Sequence, residues 1–304
     1  MTPVELHQAT KRYGALTALD GCSLSLVGGE VLALVGHNGA GKTTLMKLIL
    51  GLIRPSEGTV RVFGSDPAGH DGGAVRKRIG FLPESVNFTG AMTGAEVLRF
   101  FLALRGEPMA AVEPLLERVG LSHAAKRRVS TYSKGMRQRL GLAQALIGQP
   151  AALLLDEPTT GLDPTLRETF YDIVAELRGK GCAVLLSSHA LAELEQRADR
   201  VAILEAGRLV AHGRMAELRR AAGLPVRIRV TLPDEAAPVA GLQGLGARPV
   251  GVGQMELRVA NGAKIELLGR LAGLRPAITD IEVLPPSLDE VYARLRAKAV
   301  EAAP

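Results

Sequence analysis

The apolar residues fall into runs whose period changes along the chain. Residues 4–27 alternate apolar and polar, as in Val4-Glu5-Leu6-His7 and Cys22-Ser23-Leu24-Ser25-Leu26, which predicts antiparallel strands with one solvated face. Val31–Val35 is continuously apolar and reads as a buried parallel strand, and Leu45–Leu50 continues as a helix. Gly51, Pro55 and Gly58 make a turn before a strand over Thr59–Phe63. Residues 64–74 read as a loop, and Ile79–Leu82 as a strand stopped by Pro83.

From 85 to 150 the pattern is helical. Thr93 and Glu96 stand at capping-box spacing, Leu115, Leu116, Val119 and Leu121 mark a second helix, and Ser133 is placed to cap a third that runs to Ile147. Ala151–Leu155 is a second buried strand, ending at Asp156-Glu157-Pro158, and Pro164 opens a helix. A third buried strand, Ala183–Leu186, a helix over 190–197, a strand over Arg200–Leu204, a hairpin over 205–213 and a helix over 214–222 follow. This alternation predicts a mostly parallel sheet with helices on both faces, its antiparallel edge drawn from the first strands. Gly223-Leu224-Pro225 marks a boundary. The expected domains are 1–222, with 85–150 as an inserted helical subdomain, and 223–304 as a small α+β accessory domain. In the latter, strands are expected at Val226–Val230, Met255–Val259 and Ile278–Leu284. Helices are expected at Ala263–Leu271 and from Ser287 to Lys298, with a loop from the first strand to about residue 253.

The chemistry begins at Gly36-His37-Asn38-Gly39-Ala40-Gly41-Lys42-Thr43-Thr44, which fits GxxxxGK[ST] between a strand and a helix. Glycines let such a loop turn its N–H groups toward phosphates, and the following helix adds its positive end. Lys42 is positioned for β/γ-phosphate oxygens and the Thr43 hydroxyl for Mg²⁺. Asp156 and Glu157 end a buried strand, where ligands bind in α/β sheets. Asp156 then suits the metal and Glu157 the activation of water. His189, after the third core strand, is placed to act with Glu157, and Tyr13 to stack on a base.

Composition narrows the setting. The chain has 304 residues, 47% of them hydrophobic, but no apolar run approaches the roughly 18 residues of a spanning helix and no secretory signal is visible. Cys22 and Cys182 lack metal-site spacing and are expected as small buried residues in a reducing compartment. Net charge is +6, spread over short clusters such as Arg76-Lys77-Arg78 that read as solvated faces. With 3% aromatic residues and no Trp, stacking platforms for nucleic acid are not expected.

Taken in order, these motifs resemble the nucleotide-binding subunit of ABC transporters over about residues 2–220. The resemblance casts Tyr13 as the adenine-stacking loop, Gly36–Thr44 as Walker A and Asp156-Glu157 as Walker B. Gly161-Leu162-Asp163 resembles the D-loop, Ser188-His189 the H-loop, and Ser133-Lys134-Gly135-Met136-Arg137-Gln138 the signature. It implies a P-loop NTPase, RecA-like mixed sheet with an antiparallel edge, ATP and Mg²⁺ as cofactors, and ATP hydrolysis coupled to transport. The implied nucleotide site is Tyr13, Gly36, His37, Asn38, Gly39, Ala40, Gly41, Lys42, Thr43 and Thr44. A second copy, head to tail, adds Ser133 and Gly135. Glu157, His189 and Lys42 are the implied catalytic groups, and Thr43, Asp156 and Glu84 the metal set. The chain departs from the common pattern at Glu84, where many members carry Gln, and at Lys134, where the signature has Gly. A membrane permease is the implied partner, received by the helical region around 85–120, with the subunit peripheral on the cytoplasmic face of the membrane.

Leu82-Pro83-Glu84, Ser133-Lys134-Gly135-Met136 and the C-terminal extension look like the ABC-2 exporter branch. His37, Phe81–Phe88, Tyr132–Leu146 and Gly223–Arg229 resemble more closely the ATPase of the nitrous oxide reductase maturation system. That system implies a copper- or sulfur-handling role and a periplasmic accessory protein. A drug or polysaccharide exporter is the alternative, and a non-transport ATPase acting on ribosomes or DNA a further one. The stretch between Lys42 and Asp156 is too short for the long coiled coils of chromosome-type members. A small-molecule kinase leaves Ser133–Gln138 and His189 without roles.

Overall fold

The computed structural model describes residues 2–233, 240–274 and 278–301, which form two compact units, Met1–Gly213 and Arg214–Pro304. The first opens with β1 (Val4–Tyr13) and β2 (Leu16–Leu26), an antiparallel pair. Then come β3 (Val31–Val35), α1 (Lys42–Ile49), β4 (Glu57–Val62), α2 (Gly72–Lys77) and β5 (Ile79–Leu82). A helical stretch holds α3 (Gly94–Arg105), α4 (Val112–Arg118) and α5 (Lys134–Ala145). The chain returns through β6 (Ala152–Asp156), α6 (Pro164–Gly179), β7 (Ala183–Ser187), α7 (Leu191–Arg197), β8 (Arg200–Glu205) and β9 (Arg208–Gly213).

The main sheet is six-stranded in the order β5-β6-β7-β3-β8-β9. Its strands pair in parallel except β9, which runs antiparallel to β8. β1, β2 and β4 form a separate three-stranded sheet, so the expected origin of the antiparallel edge is corrected: the edge is β9. One-faced alternation identifies an antiparallel strand but not the sheet it joins. The buried face of this small sheet (Val4, Leu6, Leu24, Leu26, Val60, Val62) packs in one core with Leu45, Met46, Leu48 and Ile49 of α1. Leu32, Leu34, Leu154, Leu185 and Leu204 of the main sheet close the same core from below. Each such fully buried side chain contributes about 1.5–3 kcal/mol, so α1 and the loop before it are clamped between two sheets.

The helical stretch forms as its signals predict. Thr93 caps α3 with a complete capping box to Glu96. Arg105, at the other end of α3, donates to Ile147 O and Ile79 O, both at 2.8 Å, tying α3 to the start of β5. Cys22 and Cys182 are free and buried, and burial pushes their thiols up to about 11 and about 12.

The second unit begins with α8 (Met215–Ala222) and continues β10 (Val226–Thr231), α9 (Ala240–Gln243), β11 (Arg248–Gly251), β12 (Gln254–Val259), α10 (Lys264–Ala272), β13 (Asp280–Leu284) and α11 (Leu288–Glu301). Its sheet has the order β11-β12-β10-β13 with every neighbouring pair antiparallel. This is the split β-α-β, ferredoxin-like arrangement. Ile228, Val230, Met255 and Leu257 on the sheet pack with Leu242 and Leu271 on the helices, and Lys298 Nζ of α11 donates to Ala221 O of α8 at 2.9 Å. The expected loop after β10 holds α9 and β11 within its described part; residues 234–239 of it lie outside the described residues. The loop expected over 64–74 likewise gives way to α2 at Gly72. Short elements of four to six residues carry too little periodicity to stand out from turns rich in Gly and Pro.

Candidate functional site

The carboxyl ends of β3, β5, β6, β7 and β8 open on one cleft of about 550 Å³. The phosphate-type loop after β3 forms its floor. Gly39 and Gly41 take φ of 86° and 108°, and a Cβ on Gly41 would lie 2.7 Å from Ala18 O, so only glycine permits this path. A Cβ on Gly36 would lie 2.6 Å from Leu204 O, which brings the loop against β8. No side chain caps α1, so its first N–H groups, which have no intrahelical acceptor, face the cleft end of the helix. Lys42 is buried and its Nζ curls back to donate to Gly36 O and, at 3.3 Å, to His37 O. Burial holds the Lys42 ammonium below its ordinary value against the pull of Glu157, Asp156 and Glu84.

Asp156 and Glu157 stand opposite. Asp156 Oδ1 accepts from Ser187 Oγ at 2.6 Å, and its Oδ2 from Thr43 Oγ1 at 3.3 Å. Glu157 takes a left-handed φ of 49° and is tied through its N–H to Ser187 O at 3.2 Å. Its Oε2 accepts from His189 N–H at 3.2 Å; its Oε1 lies 3.3 Å from His189 Nε2 and is buried without a hydrogen-bond partner. Burial raises the Glu157 carboxyl above its ordinary value, and His189 and Lys42 partly offset this.

The cleft gathers Tyr13, His37, Asn38, Gly39, Gly41, Lys42, Thr43, Thr44, Glu84, Asp156, Glu157 and His189 from the expected set. Tyr13 is 46% exposed, its ring open to stacking. Gly36 and Ala40 belong to the loop but do not line the cleft, and Ala40 is wholly buried. Ser133 and Gly135 lie outside the cleft. Ser133 Oγ accepts from Met136 N–H at the start of α5, and a Cβ on Gly135 would lie 3.1 Å from Gly161 O. Sequence reasoning passed over Leu16, Thr17, Ala18 and Ala206 in the wall. The Ala206-Gly207 pair marks a tight turn, but no residue type there announces a ligand.

A nucleotide triphosphate fits this cleft: a glycine-built loop, an uncapped helix start and a buried lysine meet anionic oxygens. Mg²⁺ fits the oxygen-only donors Thr43 and Asp156, with Glu84 in the wall. That ion keeps most of its shell as water and phosphate oxygen and needs few protein ligands. Among the described residues no helix is long and apolar enough to cross a membrane.

The ABC transporter family matches residues 19–160. The chain is 37% identical to the daunorubicin resistance ATP-binding protein DrrA3 of Streptomyces coeruleorubidus, over 97% of this chain and 96% of that protein. It is 38% identical to Nod factor export ATP-binding protein I of Paraburkholderia xenovorans, over 69% of this chain and 70% of that relative. Among solved structures it is similar to an ATP-binding subunit of an ABC transporter, with TM-score 0.69 and 32% identity, over 73% of this chain and 94% of that one.

Proposed function

The chain belongs to the ATP-binding subunits of ABC transporters, of the drug and Nod-factor exporter type, and from that premise we propose the half-site and the residue roles by which it hydrolyses ATP to drive a separate membrane permease. One observation carries the roles: a single cleft holds Lys42 on the loop, Thr43 beside Asp156, and Glu157 beside His189.

The loop N–H groups and Lys42 bind the β- and γ-phosphates, Lys42 exchanging its carbonyl partners for phosphate oxygens. Thr43 and Asp156 would hold Mg²⁺, with Glu84 in the same wall, and the positive charge it would supply there offsets charge building on the phosphates. Glu157 Oε1 accepts a proton from the attacking water, with its raised carboxyl suited to that task, and His189 orients the pair. Tyr13 stacks on the base. Ser133 and Gly135 stand outside the cleft, which supports their completing the site of a second copy, head to tail. Phe100 and Leu104, 51% and 62% exposed on one face of α3, support permease docking there, with the subunit peripheral on the cytoplasmic side of the membrane.

Glu157→Gln is expected to lower the hydrolysis rate by about 100-fold or more while ATP still binds and traps the dimer. Turnover measured at the wild-type rate removes Glu157 from the base role. The exporter reading leaves the cargo open. The finer reading, the ATPase of nitrous oxide reductase maturation with a periplasmic accessory protein, rests on the likeness at His37, Phe81–Phe88, Tyr132–Leu146 and Gly223–Arg229. Deletion of the gene is then expected to leave nitrous oxide reductase short of copper. A fully loaded reductase with heightened drug sensitivity selects the drug-exporter alternative instead.

A further inference from the structure

Tyr13 closes β1, and Lys11 stands two residues before it. Residues two apart on a strand share a face, and here Lys11 Nζ lies over the Tyr13 ring, 5.1 Å from its centroid. Tyr13 lines the cleft and Lys11 does not, so the ring stands between the ammonium and the cleft. The negative face of an aromatic ring attracts a cation within about 6 Å. Lys11 is also tied from behind: the same Nζ donates to Arg54 O at 2.9 Å. Arg54 belongs to the turn that leads from α1 to β4, and that turn is laced to the end of β1 twice more. Ser56 N–H donates to Thr10 O at 2.7 Å, and Arg12 N–H to Ser56 Oγ at 3.0 Å. A lysine ammonium sits on a flexible stem; this one is held over the ring by a carbonyl.

The β2 side fixes where the end of β1 stands relative to the phosphate loop. Lys11 pairs with Leu19 and Arg12 with Thr17, which leaves Ala18 as an extra residue on β2. Such a bulge bends its strand and re-aims the residues beside it. Ala18 lines the cleft, and its carbonyl oxygen lies 2.7 Å from where a Cβ on Gly41 would be. The backbone under the base platform is thus packed against the cradle for the phosphates, and what remains to be fixed is the ring itself, 46% exposed.

We propose that Lys11 is a positioning residue for the nucleobase: its anchored ammonium holds the Tyr13 ring in one orientation and draws π-electron density toward itself, so that the face turned to the cleft repels a stacked purine less. This deepens the reading of the cleft as the ATP site and rests on it. The effect belongs to the base alone, because the ammonium acts through the ring and not on the phosphates.

The test is a double-mutant cycle on MgATP affinity of the full chain: the wild type, Lys11→Met, Tyr13→Ala and the two together. Lys11→Met is expected to weaken MgATP binding about two- to fivefold, and Tyr13→Ala about tenfold. In the Tyr13→Ala background Lys11→Met is expected to change nothing further. Lys11→Arg, which keeps a cation over the ring, is expected to retain wild-type affinity. Mg-tripolyphosphate, which has the phosphates but no base, is expected to bind the wild type and Lys11→Met equally. Unchanged MgATP affinity in Lys11→Met overturns the proposal. So does an equal loss with and without Tyr13, or a matching loss for tripolyphosphate, since either has Lys11 acting on the phosphates or on the fold. Wild-type MgATP affinity in Tyr13→Ala overturns the stacking role of Tyr13, and no MgATP binding by the wild type overturns the reading of the cleft. If Lys11→Met does not fold, Lys11→Gln carries the same cycle.

Discussion

Glu157 carries two costs at once. Its backbone sits at φ 49°, a conformation that costs a non-glycine residue about 1–3 kcal/mol, and its carboxylate is buried with one oxygen lacking a hydrogen bond. The strain is held by the Ser187 and His189 contacts, and it aims the carboxylate into the cleft. The pH consequence has a definite sign. Burial, the largest cause, raises the folded carboxyl above its unfolded value of 4.5, so the folded chain keeps this proton to higher pH than the unfolded chain does. Stability from this group therefore falls as pH rises from the unfolded value through the folded one. Glu157→Gln removes that slope. Thermal unfolding followed across this window should show the wild type losing stability relative to the variant as pH rises; identical pH curves would contradict a buried, raised carboxyl. The residue type and its place after four apolar positions were legible in the sequence, as were Lys42, Thr43 and His189. Its dihedral and its unpartnered oxygen were not, because both depend on β7 beside it. The Lys11–Arg54 contact was equally hidden, since nothing local to either residue refers to the other.

At the level of elements, strong local signals held and weak ones did not. The Thr93–Glu96 capping box forms, and Pro164 opens α6 as its position implies. The buried strands β3, β6 and β7 read correctly because they lack polar interruptions. Sheet membership of β1, β2 and β4 was not legible, since alternation shows which face is buried and not what buries it. The link from α3 to the main sheet was also invisible: Arg105 is a helix-end arginine by sequence and a three-way fastening in the fold. Burial lowers its guanidinium from the ordinary value, the mark of a charge drawn into carbonyl contacts. Arg105→Gln leaves Ile79 O and Ile147 O without a charged donor and should cost about 2 kcal/mol. Hydrogen exchange should then quicken in α3 while α1, clamped in its own core, stays protected. Unchanged exchange in α3 would show that the contact holds nothing.

For the whole molecule, the two units differ in how function could be read from them. In Met1–Gly213 the chemistry-bearing residues are spread from Tyr13 to His189, yet strand order carries most of them to one sheet end, so a motif list approximates a site. In Arg214–Pro304 no motif announced the ferredoxin-like topology, because its strands are short and its connections are not locally coded. The main sheet also separates neighbours widely along the chain: β3, which carries the phosphate loop, lies between β7 and β8, and Val31 N–H is held by Asp199, 168 residues later. During synthesis the loop's own strand therefore emerges early and stays without either neighbour. At about 5–20 residues per second the wait is on the order of ten seconds or more. A ribosome-bound chain that has not reached β8 has Walker residues but no cradle, so the newborn ATPase is unable to capture nucleotide until nearly all of its first unit has been made.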